Sequence, residues 1–254
     1  MKNPLRLFKK PWFWFIVVFA LAGAAFNYII ETRTNNTEIT VICYHSFFGS
    51  KKYPTDFSLD ELREQLNVMR IRGYKFISFD DIENGIVTGD KNILVTIDDG
   101  NKSAFRAYEE VFKPEKIKPL FAIYTYAVGH NPFMTWDQVR TLSDDGCEIA
   151  SHGHKHRPLT DNRLSVHPDH ILEELLFSMK VLEKNLGKPV RVFVYPYGQS
   201  GRLTKKLVEM SGYEMAFNLS HGNVRVPMEN NPDMYLLPRY MLTRISATKF
   251  LEKL

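Results

Sequence analysis

The sequence predicts an α/β protein, a parallel sheet closed or partly closed by outer helices, preceded by one N-terminal transmembrane helix. Three observations carry this reading. Short apolar, β-branched runs alternate with segments whose apolar residues recur at helical spacing, the pattern of strand–helix units. Several of those runs end in polar clusters, as strands of parallel sheets do where their C-terminal ends form a site. Residues 11–30 form a 20-residue stretch with one strongly polar member, Asn27, long enough to cross a hydrocarbon core.

Lys2, Arg6, Lys9 and Lys10 precede that stretch, and Glu31 and Arg33 follow it. The positive-inside bias therefore leaves residues 1–10 in the cytoplasm and the rest of the chain outside. Trp12 and Trp14 suit an interfacial belt, and the stretch exceeds the roughly 7 to 15 apolar residues of a signal-peptide core. A single-pass signal-anchor in the cell membrane is the expectation. Cleavage near Ala22-Gly23-Ala24, which would release a secreted protein, is the alternative. Residues 31–38 read as a short polar tether, and the 216 residues from Ile39 to Leu254 suffice for one sizeable core.

Within that domain, Ile39 to Cys43 is apolar and β-branched and reads as the first strand. Ser58 is placed to cap a helix carrying Leu59, Leu62, Leu66 and Met69 on one face, with Gly73 as its stop. Ile93 to Ile97 and Pro119 to Tyr124 read as buried strands. Thr135 caps a helix bearing Trp136, Val139 and Leu142, and Cys147 to Ser151 forms the next strand. A long helix from about Pro168 to Leu186 ends at Gly187, with Leu172, Leu175, Leu176, Met179 and Leu182 expected in the core. Val190 to Tyr195 and Glu214 to Phe217 are the last strands, and Ser246 is expected to cap a final helix.

The polar clusters carry the chemistry. Thr96-Ile97-Asp98-Asp99-Gly100 follows one strand, and Ser151-His152-Gly153-His154-Lys155-His156 follows another. A divalent metal such as Zn(II) takes carboxylate oxygen and imidazole nitrogen, and a catalytic site supplies three protein ligands so that water fills an open position. Asp99, His152 and His156 complete such a set, with His154 open as a ligand; Co(II) and Ni(II) accept the same donors. Asp98 is placed as the base for the water. Adjacent strand residues point to opposite faces, so Asp98 and Asp99 share a site only if the backbone turns, which Gly100 permits. Asp-Asp-Gly alone is also a common turn, and three histidines in a loop also occur as plain surface. A third cluster, Phe193-Val194-Tyr195-Pro196-Tyr197-Gly198, offers aromatic faces for sugar rings and a backbone N–H for an oxyanion.

In this order the three clusters resemble the motifs of the polysaccharide deacetylase, or NodB-homology, family, from about Ile39 to the C-terminus. The resemblance implies an irregular (β/α)7 barrel. It makes Asp98 the general base, Asp99, His152 and His156 the metal ligands, and the Tyr197 backbone N–H the oxyanion donor. Val41-Ile42-Cys43-Tyr44-His45 and Leu236-Leu237-Pro238-Arg239-Tyr240 further resemble the branch that removes N-acetyl groups from exported poly-β-1,6-N-acetylglucosamine. Polysaccharide synthase or export proteins are candidate partners that the sequence does not specify. Tyr44, Tyr195, Tyr197 and Trp136 are candidate sugar-stacking residues.

Two departures from the family pattern stand out. Val194 occupies a position where many members have an arginine that steadies the catalytic aspartate, and Arg239 is the candidate replacement. No histidine follows His221, so the usual C-terminal general acid has no counterpart. In the poly-N-acetylglucosamine branch the acid comes from the N-terminal Tyr-His, which points to His45, with His221 as its competitor.

Composition excludes other classes. The net charge of +4 belongs to residues 1–35, which hold five of the 33 basic and one of the 29 acidic residues, leaving 28 of each beyond them. The folded part is therefore neutral and shows no basic, aromatic-interleaved stripe, which excludes nucleic acid as a partner and suits a neutral acetylated glycan. Two neighbouring carboxylates do not span a glycosidic bond, which needs roughly 5 to 10 Å between them, so glycoside cleavage is excluded. Cys43 and Cys147 fit either buried strand thiols or a disulfide. The remaining alternatives are deacetylation of peptidoglycan or chitin oligomers, and a catalytically impaired, membrane-tethered glycan-binding protein.

Overall fold

The computed structural model describes residues 18–19, 21–23 and 37–253. Of the expected membrane segment at 11–30 only Val18, Phe19 and Leu21–Gly23 are described, all helical, and the rest of it and most of the tether lie outside the described residues. Among the described residues no helix is long and apolar enough to cross a membrane.

Among the described residues 37–253 nine strands and nine α-helices follow one another: β1 (Thr37–Tyr44), α1 (Leu59–Ile71), β2 (Lys75–Ile77), α2 (Phe79–Glu83), β3 (Asn92–Ile97), α3 (Lys102–Ala107), β4 (Leu120–Ile123), α4 (Trp136–Asp144), β5 (Ile149–Ser151), α5 (Asp161–Val166), α6 (Pro168–Leu172), α7 (Ser178–Leu186), β6 (Val192–Val194), α8 (Arg202–Met210), β7 (Met215–Phe217), β8 (Val224–Val226), β9 (Tyr240–Met241) and α9 (Arg244–Lys253). A π turn at Glu173–Phe177 joins α6 to α7. The sheet order is β7-β6-β5-β4-β3-β1-β8, parallel except for β8, with β2 on β3 and β9 on β1. Leu237 bridges Phe217 while Tyr240–Met241 pairs with Ile42–Cys43, so one short segment touches both β7 and β1. The result is a parallel half-barrel with helices outside it.

Side chains alternate across each strand, and that alternation divides the core in two. Ile39, Val41, Leu94, Leu120, Ala122, Ala150, Val192, Val194, Phe217 and Leu237 form the inner cluster. Their neighbours Ile42, Ile93, Val95, Phe121, Ile149, Phe193 and Ala216 pack outward against helix residues such as Leu62, Leu66, Leu142 and Leu182. Each inner series becomes polar toward its C-terminal end. Val41 gives way to Cys43 and His45, Leu94 to Thr96 and Asp98, Ala150 to His152, and Leu237 to Arg239. The candidate site therefore forms a polar layer over an apolar floor.

Caps set the helix boundaries. Ser58 and Glu61 bond each other's backbone N–H at the start of α1, and Thr135 and Gln138 do the same for α4. At α9 the cap is Thr243, not Ser246: Ser246 lies inside the helix and completes the reciprocal pair, accepting from Thr243 N at 2.7 Å. The face of the long helix is also rotated from its expected position. Leu175 and Leu182 are buried, but Leu172 and Leu176 are exposed, and Glu174 and Ser178 are buried in their place. Both polar residues have work inside, since Ser178 Oγ meets Ser151 Oγ at 2.8 Å and Glu174 holds the histidine loop.

Candidate active site

Three of the proposed site residues sit in left-handed backbone: Asp99 at φ 75°, His156 at φ 57° and Tyr197 at φ 59°. Such conformations are costly for residues with a Cβ and persist where the surrounding structure enforces them. Asp99 and Gly100, at φ 74°, form a consecutive left-handed pair. This turn brings the second carboxylate round to the same side as the first, and a Cβ at Gly100 would meet Ile123 Cδ1 at 2.8 Å.

Asp99, His152 and His156 converge. His152 Nε2 lies 3.1 Å from His156 Nε2 and 3.7 Å from Asp99 Oδ1, and His156 Nε2 lies 3.3 Å from Asp99 Oδ1. A tetrahedral ion with bonds of about 2.0 to 2.1 Å separates its donors by about 3.4 Å, so this triangle fits a divalent metal. The tautomer fits as well. His152 Nδ1 is 2.7 Å from the Val194 carbonyl, which only accepts, so Nδ1 carries the proton and Nε2 presents its lone pair. Burial holds both imidazoles toward the neutral form, and with His152 alongside it pushes His156 down to about 4. His154 faces elsewhere. Its Nδ1 meets Thr125 Oγ1 at 2.8 Å, and its ring packs against Phe177.

Asp98 lies beside this triangle, with Oδ2 3.9 Å from His152 Nε2. Arg239 grips it bidentately, Nη1 to Oδ1 at 2.8 Å and Nη2 to Oδ2 at 2.9 Å, and also donates to Thr96 Oγ1 and the Asn218 carbonyl. Burial opposes ionisation of Asp98, but the groups around it, led by the Arg239 guanidinium, together outweigh it and hold the carboxyl far below the usual carboxylate range. Cys43, His45 and Asp98 also place a sulfur, a nitrogen and an oxygen within 4.8 Å of one another. Because Arg239 already occupies both Asp98 oxygens with a positive charge, this second group is a poor cation site.

His45 thus joins the site. His221 does not: it is exposed and packs on Tyr240, with 5.4 Å between ring centroids. Tyr197 is 59% exposed, its ring 4.5 Å from that of His156. Its backbone N–H has no acceptor among the described residues. Tyr44 and Tyr195 are corrections to the sugar-stacking expectation. Both are on the helix-facing side of their strands and fully buried, and the Tyr44 hydroxyl donates to Gln65 Oε1 at 2.7 Å. Trp136, at the start of α4, is partly buried against the outer core. Cys43 and Cys147 are both buried and free, which removes the disulfide alternative.

Three contributors escaped the sequence reading. Tyr124, just past β4, has its ring 5.2 Å from that of His156, and burial pushes its hydroxyl up to about 12. Its place at a strand's C-terminal end was the available signal. Asn101 caps α3 and donates to the His45 carbonyl at 2.6 Å. Glu174, fully buried, accepts from Lys155 N at 3.0 Å with both oxygens. It sits so close under Gly153 that a Cβ there would collide with its carboxylate.

Residues 85–216 match the family model described as polysaccharide deacetylase. The chain is 23% identical over 212 residues to the poly-beta-1,6-N-acetyl-D-glucosamine N-deacetylase of Staphylococcus aureus, a match covering 78% of this chain and 72% of that one. It is 26% identical over 133 residues to YxkH of Bacillus subtilis, a protein named for the polysaccharide deacetylases, covering 52% of this chain and 46% of YxkH. The matched region is thus less than half the length of YxkH. The fold is similar to the structure of IcaB from Ammonifex degensii, with a TM-score of 0.72 and 24% identity over 85% of this chain and 96% of that one.

Proposed function

The chain belongs to the polysaccharide deacetylase family, and we propose that it removes N-acetyl groups from N-acetylglucosamine units of an extracytoplasmic polysaccharide, poly-β-1,6-N-acetylglucosamine. The observation that carries this reading is that two adjacent carboxylates on one side of the turn have different partners. Asp99 turns into the His152–His156 triangle, while Asp98 is left beside it and fixed in the ionised state by Arg239.

Asp99, His152 and His156 would hold the ion, Zn2+ with Co2+ or Ni2+ as substitutes. Bound there, it supplies Lewis-acid polarisation of a carbonyl and raises the acidity of water. The protein's own groups account for the proton transfers. Asp98, ionised throughout the neutral range, accepts the proton of the attacking water. The Tyr197 N–H, which has no acceptor among the described residues, stabilises the oxyanion, supported by the exposed ring as a sugar contact. His45 gives a proton to the departing nitrogen as the C–N bond breaks, so one water and one amide yield acetate and a glucosamine unit. Arg239 restores the positive charge that Val194 does not provide, which argues against a site decayed to glycan binding alone.

The choice of polymer rests on three supports: the name of the Staphylococcus aureus relative, the Tyr44-His45 and Leu236-Leu237-Pro238-Arg239 segments, and the neutral charge of the folded part. In the same reading the half-barrel is an irregular (β/α)7 barrel whose seventh strand is the segment from Leu237 to Met241. Residues 11–30 anchor it in the membrane with the catalytic domain outside, next to polysaccharide synthase or export proteins. Product analysis on defined β-1,6 and β-1,4 N-acetylglucosamine oligomers and on peptidoglycan tests the polymer. Faster deacetylation of the β-1,6 series supports it, and a preference for chitin oligomers or peptidoglycan replaces it.

A further inference from the structure

We propose that Asn101 is a positioning residue that holds the general acid His45 in register with the Asp98–Asp99 turn. This inference rests on the reading of His45 as the acid. His45 stands one residue past β1, where the sheet no longer fixes the backbone. The contact to its imidazole from its own strand is weak, Cys43 Sγ to Nδ1 at 3.9 Å. The main chain around His45, by contrast, is tied to the segment from β3 to α3 that includes both carboxylates. Asp98 N donates to the Tyr44 carbonyl at 2.9 Å, Asn101 Nδ2 to the His45 carbonyl at 2.6 Å, and Phe47 N to Ser103 Oγ at 2.8 Å. The middle bond is the one made to His45 itself.

The two ends of the Asn101 amide do different jobs. Its Oδ1 caps α3, accepting from Ala104 N at 3.2 Å, and also accepts from the Ser103 hydroxyl. Its Nδ2 makes the bond to His45. The side chain is only 5% exposed, so water cannot readily replace that donor. Asn101→Asp and Asn101→Ser both preserve a cap acceptor, since Asp, Asn and Ser are near-equivalent caps. The first lacks the donor and the second lacks the reach. Asn101→Ser also adds no charge beside Asp99.

The test compares two substrates on the zinc-loaded, full-length chain. An acetamido sugar needs its leaving amine protonated, whereas 4-nitrophenyl acetate releases a stable phenolate and does not. His45→Ala and both Asn101 variants are expected to lose activity on the amide selectively. For the Asn101 variants kcat falls about 10- to 100-fold, the cost of misplacing a catalytic group by about 1 Å. KM and ester turnover stay within about two-fold, as expected when an interaction made only in the transition state is lost. Equal losses on both substrates, or unchanged amide turnover, in the Asn101 variants overturn the inference. If His45→Ala shows no amide-selective loss, the reading of His45 as the acid fails instead.

Discussion

Arg239 holds Asp98 through two parallel hydrogen bonds of 2.8 and 2.9 Å, although 141 residues separate them in the chain. Both side chains are buried, and both lie on the inner side of the sheet, one from β3 and one from the segment leading into β9. Position 194 faces the same interior but carries an apolar side chain. The positive charge beside the aspartate therefore comes from position 239 and not from position 194.

This pairing makes Arg239 costly to lose. Arg239→Met leaves a buried, unpaired carboxylate, which destabilises a fold by about 3 to 5 kcal/mol and raises that carboxyl's pKa. Acetate release should fall at least about 100-fold, and the thermal midpoint should drop. Arg239→Lys keeps the charge but not the fork and should fall between wild type and Arg239→Met. Thermal unfolding alongside acetate assays checks both; a stable, active Arg239→Met would break the link.

Histidine roles in the loop are separable. His152→Ala and His156→Ala should each abolish stoichiometric zinc binding, whereas His154→Ala should retain it, because His154 is engaged with Thr125 and Phe177. Zinc content after dialysis, read by atomic absorption, distinguishes the three variants. Loss of zinc from His154→Ala would move the ligand set.

Glu174 should control the same loop without touching the metal. Its carboxylate accepts the Lys155 N–H and fills the space under Gly153. Glu174→Ala removes that support, and zinc affinity is expected to weaken about 10- to 100-fold, the usual cost of losing an outer-shell partner. Competition titration with a zinc chelator measures it. Unchanged affinity would mean that the left-handed turn at His156 holds itself.

A pH signature comes from the opposite end of the sheet. Burial pushes the Glu148 carboxyl up to about 7 from about 4.5, against the pull of Arg191 and Lys188. The folded state therefore binds this proton more tightly than the unfolded chain does. Its contribution is fully present below about pH 4.5 and is lost as pH rises toward 7, an effect of up to about 3 kcal/mol. Glu148→Gln should match wild type near pH 4 and exceed it at pH 8. Urea unfolding at the two pH values checks the sign, and equal stability at pH 8 would contradict it.

Much of this was legible in the sequence because local chemistry and tertiary role coincide. Asp98-Asp99-Gly100 needs a turn wherever it occurs, and the apolar runs before it and before His152 specify buried strands. Ser58, Thr135 and Gly187 bound the predicted helices because caps act within one turn. What escaped was non-local. Tyr44 and Tyr195 looked like groove residues because strand alternation has two phases, and only the pairing register says which phase faces the helices. Glu174 was hidden in a helix whose leucines suggested a different buried face. Its burial is explained only by a loop 19 residues upstream. Arg239 was named as the partner of Asp98 by family pattern, but its geometry depends on β9 lying against β1.

The measurement that bears most directly on the account is acetate release from poly-β-1,6-N-acetylglucosamine by the purified full-length chain. It compares enzyme as purified, chelator-treated, zinc-restored and carrying Asp98→Asn. Release should disappear on chelation, return with zinc and fall at least about 100-fold with Asp98→Asn, the scale of a lost general base. Release that survives both chelation and Asp98→Asn would contradict the account.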